Sequence, residues 1–144
     1  MQDFVHLHVH TQYSLLDGQA SVARLVDKAM KNGMKGIAVT DHGNMFGIKE
    51  FTNYVNKKNS GPKGEVKDLK KRIAGIEAGT IECEDKEAEI AACKTKIVEA
   101  ENKLFKPIIG CEMYVARRTM DLKEGKPDQS GYHLIVLAKN ETGY

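Results

Sequence analysis

Residues 4–11 read FVHLHVHT. His6, His8 and His10 recur at every second position, with Val5, Leu7 and Val9 between them. A two-residue period is that of a β-strand, whose side chains alternate between faces. The spacing predicts a strand over 4–10, with three of the chain's five histidines on one face. The aliphatic residues then share the other face, packed under helices. Three imidazoles held together repel when protonated and lack partners when neutral. A metal ion resolves both, because neutral imidazole is a common ligand. In a closed parallel barrel the histidine face would look into the lumen.

Outward from this segment the pattern alternates. Ser21 is a candidate N-cap for a helix with Val22, Leu25, Val26, Ala29 and Met30 on one face, ended by Gly33. Residues 36–40 (GIAVT) read as a strand buried on both faces. Residues 44–57 read as a helix with Ile48, Phe51 and Val55 inward. Strands follow at 108–115 and 132–138. The expected class is α/β with parallel strands.

Residues 59–104 stand outside that alternation. Asn59, Ser60, Gly61, Pro62 and Gly64 break the preceding helix. Val66, Leu69, Ile73 and Ile76 then repeat at heptad spacing, as do Ile90, Cys93, Ile97, Ala100 and Leu104 after the Ala78-Gly79-Thr80 turn. An antiparallel helical hairpin inserted at 59–104 is expected, between the parts 1–58 and 105–144. Its second helix, about 20 residues, would be roughly 30 Å long. It reads first as a solvated arm, with a docking arm for a partner or for another part of the same polypeptide as the alternative.

With 144 residues, 41% hydrophobic and 29% charged, the composition is that of a globular domain. A net charge of +2 is too small to argue for nucleic acid by itself. No apolar run reaches the roughly 18 residues of a membrane helix, and no secretory pattern opens the chain. Cys83, Cys93 and Cys111 form no C-x-x-C pair, which suits a reduced, cytoplasmic setting. The end, HLIVLAKNETGY, runs from an apolar strand into a turn and suggests a piece of something longer.

Further candidate residues lie at strand ends. Thr40-Asp41-His42-Gly43 follows the second strand and makes either a turn or a site. Glu112 follows an apolar run, and a cation would remove the cost of burying its carboxylate. Asp17, in SLLDG, is a turn residue or a ligand, and His133 opens the fourth strand. Gly-rich phosphate loops, G-x-S-x-G and H-E-x-x-H are absent from the sequence. Mixed imidazole and carboxylate donors point to a hydrolytic site with several metals, suited to Zn, Mn or Fe rather than Ca.

Together HLHVHT (6–11), SLLDG (14–18), TDHGNMFG (40–47), KPIIGCEMYV (106–115) and HLIVLAKNETGY (133–144) resemble the PHP (polymerase and histidinol phosphatase) domain family. The resemblance covers 3–58 and 105–144. TDHGNMFG and AKNETGY resemble its polymerase branch, the amino-terminal domain of bacterial replicative DNA polymerases, rather than its free-standing phosphatases. The resemblance implies a partial (β/α)7 barrel, truncated here, with further ligands (a His or Cys, and an Asp-x-His pair) beyond residue 144. It implies His8, His10, Asp17, His42, Glu112 and His133 as ligands of two or three divalent ions, with Asp17, His42 and Glu112 as the catalytic members. His6 and Asp41 would be neighbours that fill or orient. The implied activity is phosphodiester hydrolysis, 3′-to-5′ proofreading, in a nucleotidyltransferase whose partners are DNA, other replisome subunits and the rest of the polymerase chain. The piece alone would be inactive and prone to self-association. The competing expectations are a module that braces the polymerase and docks a proofreading subunit, and a free-standing phosphatase.

Overall fold

The computed structural model describes residues 4–144. Two compact units are present: the chain up to Val55 together with Lys106–Tyr144, and Asn56–Phe105. Among the described residues no helix is long and apolar enough to cross a membrane.

In the first unit, α1 (Val22–Lys31) starts where expected. Ser21 caps it, its hydroxyl accepting from the Arg24 N–H, and Gly33 takes the predicted left-handed φ of 78°. Val22 and Val26 are fully buried. Each such valine contributes about 1.5–3 kcal/mol. β1 (Gly36–Val39) is buried along its whole length. α2 (Ile48–Lys58) begins four residues later than the periodicity suggests, because Asn44 Oδ1 accepts from the Phe46 N–H and holds a turn there. Ile48, Phe51 and Val55 face inward as expected.

The sheet runs β1–β2–β3, with β2 at Lys106–Val115 and β3 at Tyr132–Leu137. β1 and β2 are parallel, Gly36 facing Lys106 and Val39 facing Ile109. β2 and β3 are antiparallel, Gly110 facing Leu137 and Val115 facing Tyr132. The all-parallel expectation therefore fails at β3. Its connection, 116–131, holds a single 3-10 turn (Lys126–Asp128) and no crossover helix, so the chain doubles back. Tyr132, Leu134 and Val136 are exposed on β3, the last strand of the sheet.

The segment 4–11 runs beside β1, but it bends at Leu7 and is not a regular strand. His6 O accepts from the Ala38 N–H and Val9 O from the Thr40 N–H, so three steps on one side oppose two on the other. The Val9 N–H donates to Thr40 Oγ1 instead of to a carbonyl. The threonine hydroxyl enters the ladder and produces a bulge-like slip. The expected two-faced alternation is lost with it: Leu7 is 53% exposed.

The second unit is an antiparallel helical hairpin. α3 (Ser60–Glu77) packs along α4 (Lys86–Asn102), with Ile76, Cys93, Ile97 and Ala100 buried between them. α4 has 17 residues, shorter than expected. Its start is set by Asp85, whose side chain accepts from the Ala88 N–H. The expected breakers Ser60, Gly61 and Pro62 lie inside the first turn of α3, and Gly64 just after it. Proline is tolerated there because first-turn N–H groups have no intrahelical acceptor. Asn59 makes no helix cap. Its amide donates to Phe105 O at 2.8 Å and accepts from the Phe105 N–H at 2.9 Å, closing the base of the hairpin.

Candidate metal centre

Five segments of the first unit deliver the chemistry. The extended stretch brings His8 and His10, the following loop brings Asp17, and the end of β1 brings His42. β2 and β3 bring Glu112 and His133. The backbone fixes this convergence: His42 bridges Glu112 in parallel register beyond β1, and Tyr114 faces His133 across the β2–β3 pairing.

Glu112 sits at the centre with 7% exposure. Its Oε2 lies 2.6 Å from His10 Nε2 and 3.4 Å from His42 Nδ1, and its Oε1 lies 2.7 Å from His133 Nδ1. Asp17 lies 3.1 Å from His10 Nδ1 and 3.2 Å from His42 Nδ1. The rings of His8 and His10 stand 4.9 Å apart, edge to face. Three overlapping triads offer ligand atoms within 4.8 Å of one another: His8–His10–Glu112, His10–Asp17–His42 and His42–Glu112–His133. All six residues expected as ligands are brought together.

Burial pushes the Glu112 carboxyl up. The close approach of His10, and the charges of His10, His133 and His42, outweigh it and hold the carboxyl below its ordinary value. Yet His10 Nε2, His42 Nδ1 and Glu112 Oε2 are buried without a well-formed hydrogen bond. Their separations are short, but the donors are not aimed along them. Buried polar atoms are normally satisfied. Convergent donors that do not serve one another fit a cation at their centre, and the mixed nitrogen and oxygen set suits Zn, Mn or Fe.

Asp41 was expected beside the cluster, but the contacts of Thr40 and Tyr114 were not read from the sequence. His8 Nδ1 lies 2.8 Å from Thr40 Oγ1. With Nδ1–H donating to that hydroxyl, Nε2 keeps its lone pair for a ligand role. The Tyr114 hydroxyl contacts His42 Nε2. An Nε2–H donating to the phenol leaves Nδ1 facing Asp17 and Glu112. Gly43, at φ 63°, makes room for this ring: a Cβ there would meet Tyr114 Cε2 at 2.9 Å.

Asp41, 1% exposed, accepts from the Thr11 N–H at 2.6 Å and from Ser14 Oγ at 2.8 Å. Ser14 Oγ in turn accepts from the His42 N–H at 3.0 Å. Asp41 thus ties the loop that carries Asp17 to the strand end that carries His42. His6 stands apart, exposed, with its ring against Phe4 at 4.7 Å. Cys111 is free, and burial pushes its thiol up. A tyrosine three residues after Gly-Cys on an apolar strand carries no distinctive signal; only the i, i+2 spacing of Glu112 and Tyr114 placed both on one face.

A family model described as PHP domain matches residues 6–144. The DNA polymerase III subunit alpha of Treponema pallidum (strain Nichols) is 39% identical over 142 residues, 98% of this chain and 8% of its own length. That of Borreliella burgdorferi is 40% identical over 144 residues, again 98% and 8%. That of Aquifex aeolicus is 31% identical over 148 residues, 99% and 9%. The chain spans less than a tenth of the length of these relatives.

Proposed function

This chain belongs to the PHP domain family, and on that premise we propose that its histidine–carboxylate cluster is a metal-dependent phosphodiesterase site within a bacterial replicative DNA polymerase alpha subunit. The first unit is then part of the PHP barrel, and 59–104 is a helical insertion in it. The substrate is the 3′ end of DNA, and the reaction is 3′-to-5′ hydrolysis that removes a terminal nucleotide. DNA, the remainder of the polymerase chain and other replisome subunits are its partners, in the cytoplasm.

One observation carries the reading: His10 Nε2, His42 Nδ1 and Glu112 Oε2 converge, buried, without serving one another as hydrogen-bond partners. His8, His10, Asp17, His42, Glu112 and His133 would hold the ions. Divalent ions there would lower the pKa of water and neutralise charge on a phosphoryl oxygen. Thr40 and Tyr114 hold the His8 and His42 rings. Asp41 keeps the Asp17 loop against His42. Asp17 and His133 are about half exposed, which leaves the cluster open to a substrate on that side.

The test is metal content and 3′-exonuclease activity of the full-length protein with His8→Ala and His42→Ala. Loss of both properties is expected. Retention of metal and activity in both variants overturns the assignment. A second reading, in which the metals brace the polymerase and its docking of a proofreading subunit, is favoured by the way Glu112 alone links three segments. Chelation separates the two: a lower Tm with nuclease activity intact supports bracing.

A further inference from the structure

Beside the cluster is a cavity of about 400 Å³ lined by Tyr13, Leu15, Leu16, Asp17, His42, Asn44, Phe46 and Tyr114. Asp17 and His42 belong to both. The rest of the lining is aromatic, aliphatic or amide, and none of it is Lys or Arg. Leu15, Leu16 and Phe46 are 90%, 101% and 78% exposed, an unusual density of apolar surface beside a polar centre. The cavity has no charge of its own with which to hold a phosphate. Its faces suit a flat, partly apolar group attached to one.

The polar atoms of the lining are already committed. Asn44 Nδ2 donates to Tyr13 O and His42 O, and its Oδ1 accepts from the Phe46 N–H. The Tyr13 hydroxyl donates to Glu50 at 2.8 Å, and the Tyr114 hydroxyl is against His42. These bonds pin the two loops together and pre-form the cavity. They also leave stacking faces rather than free hydrogen-bonding groups to meet a base edge. Every base has a π-face, so such a platform accepts all of them.

We propose that this cavity is the subsite for the base and sugar of the terminal nucleotide whose phosphate lies at the cluster, and that it receives the base by stacking without reading its identity. The inference rests on the phosphodiesterase reading for the position of the phosphate.

The experiment uses Mn²⁺-loaded full-length protein. Equilibrium dialysis compares dTMP, dAMP and inorganic phosphate, and hydrolysis is followed with the p-nitrophenyl ester of thymidine 5′-monophosphate. dTMP and dAMP are expected to bind with similar affinity, about tenfold or more tighter than phosphate. Phe46→Ala, at an exposed position the fold tolerates, removes most of that margin, and Leu16→Ala reduces it independently. Nucleotides that bind no tighter than phosphate, a margin untouched in both variants, or strong preference for one base overturns the subsite. An inert ester with the nucleotide margin intact instead overturns the hydrolytic reading and leaves the subsite standing. Hydrolysis without any margin overturns the subsite alone.

Discussion

Glu112 Oε2 and His10 Nε2 lie 2.6 Å apart in the interior of the first unit, and neither forms a well-directed hydrogen bond. That pair is the clearest sign that the cluster is shaped for a third participant. Divalent metal is therefore expected to stabilise the protein. At a free concentration 100 times the dissociation constant the gain is about 2.7 kcal/mol. Thermal unfolding with and without Mn²⁺ measures it, and Glu112→Gln is expected to abolish most of it. An equal gain in the variant contradicts the role given to Glu112.

Asp41 touches no member of the cluster through its side chain, yet it should matter to it. Asp41→Ala removes a buried charged acceptor from Thr11 and Ser14. The expected cost is about 2–3 kcal/mol in urea denaturation. Metal affinity should also fall, by about 10–100-fold, because Asp17 and His42 lose their common anchor. Full metal affinity in a destabilised variant would confine Asp41 to folding.

Asn59 is expected to hold the hairpin base. Asn59→Ala deletes two hydrogen bonds to the Phe105 backbone and leaves those groups buried. About 1–3 kcal/mol of local stability is lost. Amide hydrogen exchange at Phe105 reads this directly, and unchanged protection there would show that the side chain is dispensable.

The loop between β2 and β3, which leads to His133, responds to acid. The Arg118 guanidinium, and then the Glu124 N–H, hold the Asp128 carboxyl below its ordinary value of 3.8. A folded value below the unfolded one means the contribution is complete above pH 3.8 and is lost as pH falls through the lowered value. Following the Glu124 amide by NMR should give a midpoint below 3.8, absent in Asp128→Asn. A midpoint at or above 3.8 contradicts the pairing.

Much of the fold and of the cluster is legible in the amino-acid sequence. The Ser21 cap, the buried strand expected at 36–40 and found at 36–39, and the hairpin each carry a local signal of capping or period. Of the two expected seams Ile76, Cys93, Ile97 and Ala100 are buried, Val66, Leu69, Ile73 and Ile90 are half-buried, and Leu104 lies past the end of α4. Of the cluster, His8 and His10 were singled out by their two-residue period and Asp17, His42, Glu112 and His133 by their places near strand ends, while the six as one ligand set came from the resemblance. The regular strand expected at 4–10 was not found, because the Thr40 hydroxyl enters the ladder, a tertiary event without a sequence period. The direction of β3 depended on what a sixteen-residue connection does not contain. Tyr114, Thr40 and the Asn59 lock were missed because common residues acquire these roles only through the partners that folding brings to them.

The central claim is that this cluster holds divalent metal. Anomalous X-ray diffraction from crystals of the protein soaked with Mn²⁺ or Zn²⁺ tests it most directly. The account predicts peaks bounded by Glu112, His10, His42 and His133, at ligand distances of about 2.0–2.2 Å. Metal-soaked crystals with no anomalous density at Glu112, or with the metal bound only elsewhere on the protein, would contradict it.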